Sequence, residues 1–332
     1  MIKYILKRIG YAILVLLGVS LIIYFLTRLM PIDYVRSKVA SISTSNGGSV
    51  SEDLVDKMYA SYGLSQNAGF GDILKGYFSW VGDLVRMDLG TSFKYGIPVA
   101  QKIRECMGIS FMVAFIATIF EFMIAIPLGI TAATHQYSLR DYIVTILVMI
   151  GISLPSFFFG NVLKNWLALK LGWFPDHGLV DPSKSYAGFA LLVDYARHLF
   201  IPILTVVILS IGARMRMTRT NMLEVMNSDY IRTARAKGLK ESVVTNKHAF
   251  RNTLIPLVTS LAGLLPSLFS GALITEQVFD LPGIGNIALQ AMNAGDIPFI
   301  MGYNMFLAVL SVIGVLLADV MYAIVDPRVK LE

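Results

Sequence analysis

Apolar residues run through this chain in long blocks, and the charges fall between them. A bilayer core of about 30 Å takes roughly 20 residues of helix. Uncharged runs of that order cover Ile9 to Thr27, Tyr142 to Leu163, Asn252 to Thr275 and Ile297 to Ala318. Met107 to Thr134 makes another, broken only by Glu121. A shorter run, His198 to Ala213, is expected to tilt little or to begin upstream. Helices satisfy their own backbone groups in lipid, so the pattern predicts an all-α integral membrane protein with six transmembrane helices.

Charge then orients the spans. Between the fourth and fifth runs lie Arg214, Arg216, Arg219, Arg232, Arg235, Lys237, Lys240, Lys247 and Arg251, against Glu224, Asp229 and Glu241. The stretch from Glu276 to Asp296 carries acids and no Lys or Arg, whereas the tail DPRVKLE is basic, as is the start. Lys and Arg concentrate on the cytoplasmic side, so both termini and the loop between helices four and five are expected there. Lys3, Lys7 and Arg8 before an apolar run resemble a signal peptide. The run is longer than a signal core, and no small-residue cleavage site follows in RLMPID, so it is expected to remain as a span.

Composition agrees with this class. The chain is 55% hydrophobic and 15% charged, with a mean hydropathy of +0.66. A soluble protein of 332 residues has too little interior for so much apolar surface. The net charge of +6 would suggest nucleic acid were the basic residues not on one side of a membrane, so no nucleic-acid partner is expected. Cys106 is the single cysteine, which excludes an intrachain disulfide. His135, His177, His198 and His248 are scattered with no pair at i, i+4, so no metal site is expected.

Residues 1–30 are taken as the amino-terminal span, 31–104 as an external segment, and 105–332 as a five-helix core with a cytoplasmic loop over 214–256. The external segment holds the low-complexity SISTSNGGS, within a polar insert near residues 41–55, then turns aromatic around Tyr77, Phe78 and Trp80. A second external loop, Lys170 to Arg197, contains WFP and DPSKS.

The most informative segment is DYIRTARAKGLKESVVTNKHAFRNTLIP, Asp229 to Pro256. It predicts a short helix, a stop at Gly238, and a second helix returning to the membrane. Ala234 and Ala236 are small enough to admit a partner's surface, and Arg232, Arg235 and Lys237 surround them with charge. On residues alone, a docking knob and a basic loop drawn to anionic lipid are both open.

YIRTARAKGL followed by HAFRNTLIP resembles the cytoplasmic loop of binding-protein-dependent ABC importer permeases, specifically the first permease subunit of the oligopeptide, dipeptide and nickel group. MIKYILKRIGYAILVLLGVSLIIYFLTRLMP, YGLSQ, MDLGTSF, IPLGI, GISLPSFFFG, LGWFP, TEQVFDLPGIGNIALQAMNAGDIPFIMG and YAIVDPRVKL resemble the group's landmarks in order along nearly the whole chain. Arg232, Thr233 and Ala234 stand where importers at large carry Glu-Ala-Ala, and the stretch from Gly238 to Pro256 is longer than in sugar importers. Both departures resemble the peptide group.

The resemblance implies a coupling helix at Arg232, Thr233, Ala234, Arg235, Ala236, Lys237, Gly238 and Leu239, seated on one or two kinds of ATPase subunit. It implies a bacterial cell-membrane location, a sister permease and an external or periplasmic substrate-binding protein facing Glu276, Asp280, Pro282 and Gly283, for which a simple interfacial Glu276 is the alternative. No G-x-x-x-x-G-K-[ST] loop is present, so no cofactor is expected on this chain and ATP with magnesium belongs to the partners.

Within the spans, Glu121 reads either as a carboxylate facing the pathway or as a neutral or paired Glu at a helix interface. Pro155 interrupts the third span, with Phe157, Phe158 and Phe159 as candidate gate residues. Lys164 is expected to snorkel to the outer interface. Asp319 and Asp326, near the inner end, are expected to pair with Arg328 or with other cytosolic cations. Peptide import is the leading reading and nickel or another small solute the alternative. A stand-alone channel would leave the basic loop unexplained. An intramembrane enzyme would need paired aspartates, Ser with His, or HExxH, which the spans lack.

Overall fold

The computed structural model describes residues 2–29, 69–259 and 263–325. The insert near 41–55, the YGLSQ landmark, and Asp326 and Arg328 lie outside the described residues. The described residues are helical, apart from turns and one isolated bridge between Thr91 and Pro98. They form α1 (Ile2–Arg28), α2 (Phe70–Val85), α3 (Val99–Thr134), α4 (Leu139–Ser153) and α5 (Ser156–Leu163). After α5 come a π-helical turn (Lys164–Lys170), α6 (Phe189–Met226), α7 (Asp229–Ala236) and α8 (Phe250–Thr259). The chain continues through α9 (Leu264–Ser270), α10 (Leu273–Val278), α11 (Ile284–Asn293) and α12 (Ile297–Val325).

Among the described residues, four helices are long and apolar enough to cross a membrane: α1, α3, α6 and α12. The third sequence run is not one straight helix. α4 and the Ser156–Lys170 leg meet at 102°. Leu154 is extended, with ψ at 130°, because the Pro155 ring excludes the helical conformation from the residue before it. The pair makes a fifth candidate span. The fifth sequence run, Asn252 to Thr275, falls across α8, α9 and α10, and Gly271 lies at φ +74° between the last two.

α6 is the largest departure from the hydropathy pattern. It extends from Phe189 to Met226, far beyond the His198 to Ala213 run. Arg214, Arg216 and Arg219, assigned from sequence to the following loop, sit on this helix.

The chain divides into two units: residues 1–108 with 284–313, and residues 109–283 with 314–331. In the first, α1 meets α2 through an aromatic cluster of Tyr24, Tyr77 and Trp80. Ser20 Oγ and Tyr77 Oη are 2.9 Å apart, and Tyr24 donates to the Ile73 carbonyl at 3.2 Å. The same unit joins two of the sequence landmarks. Asp296, fully buried, accepts from Ser92 Oγ at 2.5 Å, from the Phe93 and Lys94 amides at 3.0 and 3.1 Å, and from the Phe299 amide at 3.2 Å. MDLGTSF thus wraps a carboxylate supplied by GDIPF, and that carboxylate caps the start of α12. A buried charge is tolerable only with such a shell of donors.

In the second unit α6 is the central element, packed by α4, by the Ser156–Lys170 leg and by α8. Asp141 holds the first of these. Its oxygens accept from Arg219 Nε at 3.0 Å and Nη2 at 2.8 Å, a two-pronged pair fixing α4 to α6.

Candidate functional site

The segment from Asp229 to Thr259 folds as the sequence pattern expects: a short helix, a glycine stop, and a return helix. α7 is only eight residues long, too short to hold itself together in isolation. Its stability comes from Ile231 and Ala234, spaced three apart and both buried. They pack with Ala133, Met222, Val244 and Ala249, drawn from the ends of α3 and α6 and from the π-helical turn Val244–Ala249. Burying a side chain the size of Ile231 contributes about 1.5–3 kcal/mol. Ala234, expected from sequence to admit a partner, instead faces this cluster, because it lies one turn from Ile231 on the inward stripe.

The other side of α7 is exposed: Tyr230, Arg232, Thr233, Arg235, Ala236 and Lys237, followed by Gly238 and Leu239. Gly238 takes φ +74°, a left-handed conformation that costs an ordinary L-residue about 1–2 kcal/mol. The Gly238 amide donates to the Arg235 carbonyl at 2.9 Å and the Lys237 amide to that of Thr233 at 3.1 Å, closing the helix. Arg235 then reaches across the turn to Glu241, with Nη2 2.7 Å from Oε1. The exposed face is therefore a basic knob on an apolar root, with its turn tied at both ends.

Hydrogen bonds from Arg235 hold the Glu241 carboxyl below the usual carboxylate range. A lowered carboxyl pKa favours the tied turn above the ordinary carboxylate value, and that support is lost as pH falls through the lowered value. Both side chains are substantially exposed, so the effect is local. Protection of the amides at residues 235–243, taken relative to the intrinsic exchange rate at each pH, is expected to fall on acidification through that range. Glu241→Gln should show the lower protection already at neutral pH, with no further acid-induced loss.

The remaining sequence-selected residues occupy different settings. Glu121, 8% exposed, accepts from Arg214 Nε at 3.1 Å, and the Arg214 guanidinium lies 4.6 Å from the Phe122 ring centre. The partner of Glu121 is therefore Arg214 of α6. A neighbouring apolar groove of about 420 Å³ between α3 and α6 is lined by Ile116, Phe120, Leu192, Phe200 and Val207 among others, with Glu121 turned instead to Arg214. Phe157 and Phe158 are exposed and Phe159 half-buried, just past the Pro155 break. Lys164 donates to the Val278 carbonyl at 3.2 Å and so closes the end of α10.

The four residues expected to face a binding protein divide into two pairs. Asp280 and Pro282 are exposed, and Asp280 sits at φ 48° in the turn after α10. Glu276 and Gly283 are buried instead. Glu276 accepts from Ser110 Oγ at 2.6 Å, and its carboxyl lies where a side chain on Gly283 would have to go. A Cβ on residue 283 would have to displace that carboxyl, and the acid is fully buried inside the unit. Gly283→Ala is expected to cost about 1–3 kcal/mol through overpacking, read as a lower unfolding temperature in detergent. The double variant with Glu276→Ala should recover part of that loss.

The model of the family described as "Binding-protein-dependent transport system inner membrane component" matches residues 125–331, which include α6, the knob and α10. The chain belongs to that family. Relatives of this inner membrane component match along almost its entire length. The oligopeptide transport system permease protein AppB of Bacillus subtilis is 35% identical over 332 residues, covering 99% of this chain and 100% of its own. A putative peptide transport system permease protein of Brucella abortus is 35% identical over 328 residues, covering 99% of each. The dipeptide transport system permease protein DppB of Escherichia coli is 29% identical over 347 residues, again covering 99% of each. Among solved structures, a chain of the MetNI methionine ABC transporter in an inward-facing conformation superposes with a TM-score of 0.50 at 17% identity. That match covers 68% of this inner membrane component and 97% of the solved chain, and it supports the fold.

Asp296 with its nest and the Asp141–Arg219 pair were not anticipated from the sequence, because partners 78 to 204 positions apart leave no local signature. Glu276 and Gly283 were named from the sequence, but their contact with each other was not.

Proposed function

We propose that this protein is a transmembrane permease subunit of an ATP-driven importer of oligopeptides or dipeptides. In this reading six helices cross the membrane, both termini are cytoplasmic, and the pathway is shared with a sister permease. Residues 1–30 form the first span, 31–104 an external segment and 105–332 the core. The naming of its full-length relatives supports peptides as cargo.

The observation that carries the mechanism is the division of α7 into a buried root, Ile231 and Ala234, and an exposed basic face. A helix that transmits force between subunits must be stiff toward its own protein and open toward its partner. The root ties α7 to the ends of α3 and α6, so a push on Arg232, Thr233, Ala236 or Lys237 moves long helices rather than a slack loop. The ATPase supplies the energy, and the permease contributes shape. Asp280 and Pro282 are the exposed residues through which a substrate-binding protein would be met on the other side.

Proteoliposomes holding the complex purified through this chain provide the test. ATP-dependent uptake of a labelled peptide in the presence of the binding protein is expected. Nickel uptake without peptide uptake would overturn the cargo assignment, and ATP-independent uptake would overturn the coupling.

A further inference from the structure

The Ser156–Lys170 leg has a composition and a height that its role in a span does not explain. α4 is 15 residues, about 22 Å of helix, and carries no charge after Asp141. The second leg, by contrast, holds Asn161, Lys164, Asn165 and Lys170 within ten residues. Charged side chains at the centre of a bilayer cost about 2.5–3.5 kcal/mol each on insertion scales, so this leg is poorly suited to the hydrocarbon interior.

Its height can be measured along α6. The Asp141–Arg219 pair marks one end of α4. Gly160 lies against Thr205, Ala168 clusters with Leu199 and Ile201, and Phe174 stacks on Phe200 at 4.3 Å between ring centres. From Arg219 to Phe200 is 19 helical residues, about 28 Å, close to the thickness of a bilayer core, about 30 Å. Between Gly160 and Phe174 the chain advances only from Thr205 to Phe200, about 7.5 Å of α6. After a bend of 102°, the leg runs across the direction of α4 instead of continuing it.

The leg also has two faces. Gly160 and Ala168 are buried, eight positions apart. In an uninterrupted α-helix they would be about 80° out of line. The wider π-helical turn brings Ala168 back onto the inner face. Outward stand Phe157, Phe158, Trp166, Leu169 and, after the turn, Trp173, all at least half exposed. The Lys170 ammonium lies 4.7 Å from the Trp166 ring centre. Trp and Lys together are the side chains that settle at a membrane–water boundary, apolar body inward and polar end outward.

We propose that the Ser156–Lys170 leg and the Trp173 turn lie along the headgroup boundary of the bilayer, on the side opposite the Asp141–Arg219 pair, and anchor the second unit at that depth. The occupant of the exposed aromatic face is lipid at the headgroup level. Phe157 and Phe158 are then anchors rather than gates. This rests on the membrane location of the family and not on the cargo or the coupling.

The test is a depth measurement on the full chain with its co-purifying subunits in lipid vesicles. Nitroxide labels are placed at Trp166→Cys and Leu169→Cys, with Ile146→Cys on the exposed side of α4 as the deep reference. Cys106 is buried, and the unsubstituted chain gives the blank. Collisions with oxygen report depth, and collisions with a water-soluble chromium chelate report exposure to water. Both leg positions are expected to meet both agents, with an oxygen-to-chelate ratio severalfold below that at Ile146→Cys. A ratio equal to that at Ile146→Cys would place the leg in the core and overturn the proposal. So would labels that meet the chelate freely with no excess of oxygen, or labels shielded from both agents by a protein partner.

Discussion

Gly238→Asp is expected to insert normally in the membrane and to abolish ATP-driven uptake. The backbone at Gly238 is left-handed, with open space where a side chain would project. A substituent there meets no steric wall, and the penalty is the backbone cost of about 1–2 kcal/mol, smaller for Asp, which visits this region more readily than most. The fold of the knob should survive. What changes is the exposed turn: a carboxylate appears between Lys237 and Lys240, on the face proposed to meet an ATPase. Uptake in proteoliposomes and ATP hydrolysis by the same preparation check this together. Hydrolysis without uptake, or loss of the ATPase from the complex, is the expected result. Gly238→Asn, which accepts the same conformation without charge, should retain most of the activity. Normal uptake by Gly238→Asp would remove the knob from the mechanism.

Asp141→Ala should be among the most damaging single substitutions in the second unit. Asp141 is 4% exposed and receives both prongs of Arg219, the Tyr137 amide at 3.1 Å and the Thr145 hydroxyl at 3.4 Å. Removing one member of a buried pair strands the other, at about 3–5 kcal/mol. Arg219 keeps some contact with solvent, so the low end of that range applies. The expected readout is a lower unfolding temperature and faster proteolysis near residues 135–140. Replacing Asp141 and Arg219 together with apolar residues of similar volume should restore much of the loss, because no uncompensated charge remains.

The chemistry legible in the sequence was of two kinds. Runs without charge announced the helices from Ile9, Met107 and Ile297, since lipid leaves a chain few alternatives. The helix–glycine–helix order around Gly238 was equally legible, because φ +74° is a local demand that glycine answers. The true length of α6 was hidden by its own arginines. Hydropathy ends that helix at Ala213, yet Arg214 and Arg219 are neutralised by Glu121 and Asp141 from α3 and α4, and the helix continues. Charge ends an apolar run only when nothing answers it, and the answer came from 78 or more residues away.

The functional surface was obscured for the same reason. Ala234 and Ala236 look alike in sequence, but one lies on the stripe with Ile231 and the other does not. Glu276 and Asp280 are both acids in one motif. Ser110 and Gly283 enclose the first, while the turn turns the second outward. Pro155 announced a break but not its angle, because proline excludes the straight helix without choosing among the bent ones.

A permease of an ATP-driven importer, as proposed for this chain, works only through partners. Affinity purification of the tagged protein from its native membrane in mild detergent, with mass-spectrometric identification of what accompanies it, tests that most directly. A second permease and one or two ATPases are expected in stable association. Recovery of the chain alone, repeated across mild detergents, would contradict it.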